Sequence, residues 1–227
     1  MADGKHDTVI LLERDRFYLY EDGVILGLNF PANISLDLDV KDRDAFFNLI
    51  TVFIQNNKLE PSQIFLVVSE AVCFSKDFPI KDPADTTKVE TDSQIFIDTV
   101  PFNSVLSKVY KTANVWRVVA TNLDLVDTIV DAFTARGFGL TAVVPVNIYP
   151  EYGAMRELTE DFAKHVMDTG DNMKTSSMIG EKVVTQEDHN EVSISKAQEP
   201  KSKLLPYLIG GFVILLIILV VVIILRK

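Results

Sequence analysis

The strongest constraint on this chain sits near its end. Residues 204–225 form a run of 22 residues without a charge, and only Pro206, Tyr207, Gly210 and Gly211 interrupt its aliphatic character. As a helix this run would extend about 33 Å at 1.5 Å per residue, enough to cross a hydrocarbon core of roughly 30 Å. Lys201 and Lys203 flank it on one side, Arg226 and Lys227 on the other. A buried helix of that length would have to be apolar all round inside a small domain, which few domains of this size can enclose. The run is therefore expected to be a single transmembrane helix.

Topology follows from what lies before the run. Residues 1–7 are polar and offer no apolar signal-peptide core, so the preceding chain is expected to stay in the cytoplasm. Lys196, Lys201 and Lys203 against Arg226 and Lys227 lean the same way. Two residues follow the run, so no folded part is expected beyond it.

The formal net charge is −10, with 22 basic and 32 acidic residues, and the acidic excess lies in residues 1–167. Nucleic-acid binding draws on clustered lysine and arginine, so no nucleic-acid partner is expected. The single cysteine, Cys73, excludes an internal disulfide, fits a reducing compartment, and reads as a small core residue rather than a nucleophile. Residues 168–203 mix Gly170, Gly180, Pro200 and several Ser and Thr with scattered apolar positions, and show neither helical nor strand periodicity. They read as a flexible linker with an end-to-end distance of about 30 to 36 Å. The expected organisation is a folded domain over 1–167, a linker over 168–203 and a membrane span over 204–225.

Within 1–167 the pattern begins with strands at 8–12, 17–20 and 24–29, with Asp22-Gly23 as a hairpin turn. Phe46, Leu49, Ile50 and Phe53 at i, i+3, i+4, i+7 place a helix over 43–57, capped by Asp42 or Asp44. Strands are expected at 63–68 and 72–74, and a charged loop over 81–92. A second group places strands at 105–110 and 115–121, then a helix opened by Asn122 with Val126, Ile129, Val130 and Phe133 as its stripe. Arg136 and Gly137 end that helix. A strand over 140–148 carries Pro145, which belongs at an edge or bulge, and a weaker stripe through Met155, Leu158 and Phe162 marks a helix over 151–166. The whole reads as α+β, mixed α/β, mostly antiparallel.

Chemistry is sparse. No glycine-rich phosphate loop is present, since Gly137 and Gly139 belong to a helix stop. His6, His165 and His189 lack partners at metal-ligand spacing. The Asp37/Asp39 and Asp42/Asp44 pairs read as loop solvation and helix-dipole partners rather than acid and base. No catalytic, cofactor-binding or metal-binding residue is assigned, no cofactor is expected, and the chain is not read as an enzyme.

Residues 64–79, IFLVVSEAVCFSKDFP, are similar to the strand–turn–strand of PilM-type type IV pilus assembly proteins. Val100, Pro101 and Phe102 resemble the entry to that family's small inserted subdomain. Residues 116–146 resemble its continuation, with Asn122 opening a helix, Arg136, Gly137 and Phe138 closing it, and Val143–Val146 carrying Pro145. The membrane-anchored GspL proteins of type II secretion share this arrangement. The resemblance covers about residues 8–150. It implies a single actin-like (RNase H-like) lobe with a small ββαβ subdomain inserted over about 100–150.

The same resemblance implies a scaffold at the inner (cytoplasmic) membrane that docks inner-membrane components of a pilus or secretion machine. One departure bears on nucleotide binding. The family's first phosphate loop is an Asp-x-Gly stretch, whereas this turn reads Glu13, Arg14, Asp15, Arg16 without a glycine. No nucleotide-binding residue is carried over. Partner strands are expected at sheet edges near Pro145 or along 17–20. An alternative is a tail-anchored trafficking protein with a longin-like N-terminal domain, but such a protein needs apolar heptads before the membrane, and 168–203 has none.

Overall fold

The computed structural model describes residues 7–80, 82, 86–112, 114–152, 155–180 and 183–185. The expected membrane span over 204–225, and the linker beyond 185, lie outside the described residues. Among the described residues no helix is long and apolar enough to cross a membrane.

The first three strands form a meander. β1 (Asp7–Leu12), β2 (Arg16–Glu21) and β3 (Val24–Asn29) pair antiparallel. Asp22 and Gly23, at φ 47° and 84°, make the two-residue turn with both central residues left-handed that matches strand twist. A small hairpin of β4 (Ser35–Leu36) and β5 (Asp39–Val40) leads into α1 (Arg43–Asn57). The Asp42 carboxylate accepts the Ala45 N–H at the start of α1, the capping role expected of it.

β6 (Gln63–Val68) then returns beside β1, and β10 (Gly139–Pro145) lies beside β6, both parallel. The main sheet runs β10-β6-β1-β2-β3. Its centre is thus parallel, against a mostly antiparallel reading. Parallel neighbours need crossovers that cover both faces, so their strands become continuous apolar runs rather than alternating ones. β1 and β6 show this: Val9 to Leu12 and Ile64 to Val68 are all buried.

Alternate side chains along these strands go to different layers. Ile10, Leu12, Phe17, Leu19, Leu66 and Val68 join α1 and α3 (Leu123–Thr134) in one core. Val9, Leu11, Tyr20, Phe65, Val67 and Val144 join Phe162 and Val166 of α4 (Glu160–Asp168) and Met173 of α5 (Gly170–Ser176) in a second. Phe17 seats the first core, in ring contact with Phe30, Phe53 and Phe133 at 6.0, 5.3 and 6.0 Å.

Asn122 ties two elements together. Its Oδ1 accepts the Asp124 N–H at the start of α3, and its Nδ2 donates to the Leu38 carbonyl in the β4–β5 turn. At the other end of α3, Gly137 has φ 90°. The Gly137 and Phe138 N–H groups donate to the carbonyls of Thr134 and Phe133, and the Phe138 ring meets Phe133 at 5.2 Å. That is a Schellman ending with its apolar contact.

The segment between β6 and α3 departs from expectation. Residues 70–72 form a 3-10 turn, and β7 runs over Phe74–Pro79, so the strand expected at 72–74 lies later and is longer. The loop expected at 81–92 gives way to α2 (Thr86–Asp98), whose buried stripe is Val89, Ser93 and Ile97. A serine at the middle of the stripe hid the period. β8 (Ser104–Lys111), β9 (Val115–Asn122) and the short β11 (Val183–Thr185) complete a second antiparallel sheet in the order β11-β8-β9-β7.

The insertion therefore runs from β7 through β9 rather than over 100–150, because α3 and β10 pack into the main sheet. The expected linker at 168–203 also yields its first part to the fold. Met173 and Met178 are fully buried, the Met178 N–H donates to the Val143 carbonyl at 2.7 Å, and Lys108 Nζ donates to the Ser177 carbonyl at 2.8 Å. The helix expected over 151–166 is confined to α4, capped by the Thr159 hydroxyl.

Two outcomes follow. Gly137→Val should cost about 1 kcal/mol or more, because a β-branched residue is strained in the left-handed region; denaturant unfolding measures it. A chain ending at 167 should melt lower than one ending at 185, since it exposes the pockets of Met173 and Met178, and buried methionine losses cost about 2–5 kcal/mol each.

Candidate docking site at the carboxyl ends of the parallel strands

Leu12, Val68 and Pro145 stand in one row across β1, β6 and β10. Each apolar run gives way there to a polar residue: Glu13 after β1, Ser69 after β6, and Asn147 in the 3-10 turn Val146–Ile148 after β10. The crevice beyond the carboxyl ends of parallel strands is where open α/β sheets place ligands. Glu13 Oε1, Ser69 Oγ and Asn147 Oδ1 are all buried without a hydrogen-bond partner. Buried polar atoms of this kind are costly, because desolvation is not repaid.

Glu13 is 7% exposed. Burial pushes its carboxyl above the usual carboxylate range, while the nearby Ser69 hydroxyl and the more distant Arg156 charge pull it down and Asp15 pushes it up. Ser69 stands close enough to have this effect, yet its Oγ falls short of a formed hydrogen bond. The backbone is already engaged: the Glu13 N–H donates to the Arg16 carbonyl and the Ser69 N–H to the Leu12 carbonyl, at 2.9 and 3.0 Å. Arg14 pairs with Asp37 at 3.2 Å and Arg16 with Asp15 at 2.9 Å. A nucleotide phosphate placed here would meet a carboxyl, and guanidinium groups already paired with Asp37 and Asp15. The residues of this turn do not fit a nucleotide.

Asn147 also lines a groove of about 370 Å³. Its floor is one side of the second sheet, with Asp77 of β7, Tyr110 of β8, Val115 and Arg117 of β9 and Thr112 in the β8–β9 turn; Asn147 and Ile148 form its wall. Asp77 and Arg117 stand directly opposite across β7 and β9, with Nε–Oδ1 and Nη2–Oδ2 contacts of 2.6 and 2.7 Å. That bidentate bond holds the Asp77 carboxyl below the usual range and raises Arg117. The Tyr110 hydroxyl donates to the Ser176 carbonyl at 2.9 Å, which fixes one side of the groove. The groove thus offers a polar floor and a fixed ion pair, within the size range of ligand and peptide pockets.

Residues singled out on the sequence fall elsewhere. Cys73 packs against the first core, and burial pushes its thiol up to about 12, so it stays protonated at neutral pH. His165 meets the rings of Tyr149 and Tyr152 at 5.3 and 5.8 Å. Asp37 and Asp39 pair with Arg14 and Lys41. His6 and His189 lie outside the described residues. Sequence reasoning missed Glu13, Ser69 and Asn147 as a set. Their only signal was a polar residue directly after each apolar run, and only the parallel register puts the ends of those three runs side by side.

The sign of the Glu13 shift can be tested. A carboxyl whose pKa is raised on folding adds no penalty while both states are protonated. The penalty grows as pH rises from the ordinary 4.5 through the raised value. Glu13→Gln should therefore match the parent protein near about pH 4 and melt higher than it near pH 7. A melting-temperature difference that shrinks as pH rises would contradict this environment.

No family model and no curated protein matches the chain. Among solved structures it is similar to the PilM–PilN type IV pilus biogenesis complex, at 10% identity and a TM-score of 0.43 over 60% of this chain and 46% of that one. It is similar to the cytoplasmic domain of EpsL, an inner-membrane component of the type II secretion system of Vibrio cholerae, at 12% identity and a TM-score of 0.40 over 62% and 57%. A Bacteroides thetaiotaomicron protein with an actin-like ATPase fold and unknown function is similar at 10% identity and a TM-score of 0.34, over 62% and 55%. The chain spans about half the length of the solved chains it matches.

Proposed function

We propose that this chain is a non-catalytic docking scaffold of a type IV pilus-like or type II secretion-like assembly, held at the inner membrane by residues 204–225 with its folded part in the cytoplasm. The observation that carries the reading is the groove between the second sheet and the turn after β10. It presents recognition chemistry: the Asp77–Arg117 pair, the Tyr110 and Thr112 side chains and the aliphatic Val115 and Ile148. A peptide segment suits it, because a charged side chain can align with the exposed ion pair while an apolar one packs against Val115 and Ile148. The sequence resemblance of residues 64–79, 100–102 and 116–146 to PilM-type proteins supports the assembly named.

Two reactive side chains among the described residues, Cys73 and Glu13, are poorly placed for chemistry on a substrate. The Cys73 thiol is protonated and packed against the core, and the Glu13 carboxyl is buried beside Ser69 without an accompanying base. An acidic domain on a membrane tether would be held off an anionic leaflet, which leaves its groove open to neighbouring proteins.

Crosslinked recovery of the full-length protein from its own membranes, followed by mass spectrometry, tests the reading. Pilus or secretion components should be recovered with the parent protein and with Val52→Arg, a change at an exposed position on α1. Val115→Arg, which fills the groove, should lose them at least about tenfold, the equivalent of 1.4 kcal/mol, with the melting temperature unchanged. Recovery of fusion or trafficking proteins instead would overturn the proposal.

A further inference from the structure

Among the described residues the two larger sheets end in four strands, and three of them carry the devices that normally keep edges from pairing. β10 ends in Pro145, shifts register between Leu140 and Ala142, and is covered where Ser177 Oγ accepts the Val143 N–H and the Met178 N–H reaches the Val143 carbonyl. β7 carries Lys76, Asp77 and Pro79, and β11 is three residues long. β3 has none of these. Its six residues, VILGLN, hold no charge and no proline, and they pair with β2 without a break from Arg16↔Asn29 to Glu21↔Val24. Val24 and Ile25 are 55% and 41% exposed. The strand expected to present an edge, 17–20, lies inside the sheet between β1 and β3.

The hairpin geometry says which backbone groups face outward. In a two-residue hairpin the pair flanking the turn is hydrogen-bonded, and bonded and non-bonded pairs then alternate. Glu21–Val24, Leu19–Leu26 and Phe17–Leu28 are therefore the bonded pairs. Ile25, Gly27 and Asn29 turn their N–H and C=O groups away from β2. Those residues also share one side of the strand, while Leu26 and Leu28 pack against the first core on the other.

We infer that β3 is a homodimerisation edge, pairing antiparallel with β3 of a second copy of this chain so that the two main sheets become continuous. Antiparallel edge pairing is two-fold symmetric, so one strand supplies both halves of a closed interface. Opposed residues must lie on the same side of the sheet, which puts the two-fold axis at Leu26 or Gly27. Either register sets uncharged residues opposite uncharged residues, so the chain's net charge of −10 does not place like charges across the seam. The strand ends are compatible as well. The Glu21–Asp22 turn of one copy comes beside the Asn29 end of the other, where Arg16 stands opposite Asn29. A second copy accounts for a bare edge that is neutral along its length, where an acidic or basic partner strand would call for complementary charge.

Light scattering of the full-length protein in detergent, over about a hundredfold concentration range, reads the mass directly. The parent protein should pass from monomer to dimer. Ile25→Lys, at a half-exposed position, places a lysine at the seam in both copies and should weaken the dimer at least about tenfold, because two unfavourable edge charges cost roughly 1.4 kcal/mol or more. Its melting temperature at low concentration should be unchanged. In a Cys73→Ser background, Gly27→Cys should crosslink through a short bis-maleimide, whereas Val52→Cys should not. A parent protein that is monomeric throughout, a dimer indifferent to Ile25→Lys, or a Gly27→Cys protein that stays uncrosslinked would each overturn the inference.

Discussion

The burial of β1 and β6 on both faces is the constraint from which the rest of the architecture follows. Val9 to Leu12 and Ile64 to Val68 leave no polar side for solvent, so the chain must supply an apolar layer above and another below. α1 and α3 supply one. α4 and α5 supply the other, which is why the chain past residue 167 belongs to the domain. Without Phe162, Val166 and Met173, the side of the sheet carrying Leu11, Phe65 and Val67 would face water.

The same parallel arrangement creates the candidate docking region. Strands that run side by side in one direction end on one row, and the residues that follow converge whether or not they are near in sequence. Here Glu13 and Ser69 come together from positions far apart in the chain, Asn147 follows the neighbouring strand, and each keeps a buried polar atom without a partner. Proteins retain such atoms at a cost in stability. The second sheet then widens the region into a groove, because the Asp77–Arg117 pair lies on the side that faces the turn after β10. Recognition and self-association are separate on this molecule: the groove lies beside β10, and the unprotected edge is β3 at the other margin of the main sheet.

Local patterns were readable where one physical signal dominated. Asp22-Gly23 dictated a hairpin because a two-residue turn needs two left-handed residues. The stripe through Phe46, Ile50 and Phe53 and the Asp42 cap placed α1 at the residues where it is found. Asn122 and Gly137 bounded α3 for the same kind of reason, a cap acceptor at one end and a left-handed position at the other. Where signals competed, the pattern misled. α2 carries Ser93 in its buried stripe and Ile95 on its exposed side, so its periodicity was blurred and its charged, turn-rich start read as a loop. Residues 168–180 looked like a linker because α5 is short and polar and contributes one fully buried residue, Met173, whose role depends on a cavity formed by distant strands.

The sequence by itself determined the strands of 7–29 and 63–68, the helix between them, the strand, strand, helix and strand order of 104–145, the acidic balance and the single thiol. These depend on local periodicity, turn chemistry and composition, which a neighbour in space does not alter. Only the tertiary structure decided that β10, β6 and β1 are parallel and share a register, that the insertion begins at β7, and that 17–20 is interior while 24–29 is the bare edge. Strand order is settled by which apolar faces can be covered at once, and that is a property of the whole packed chain rather than of any window along it.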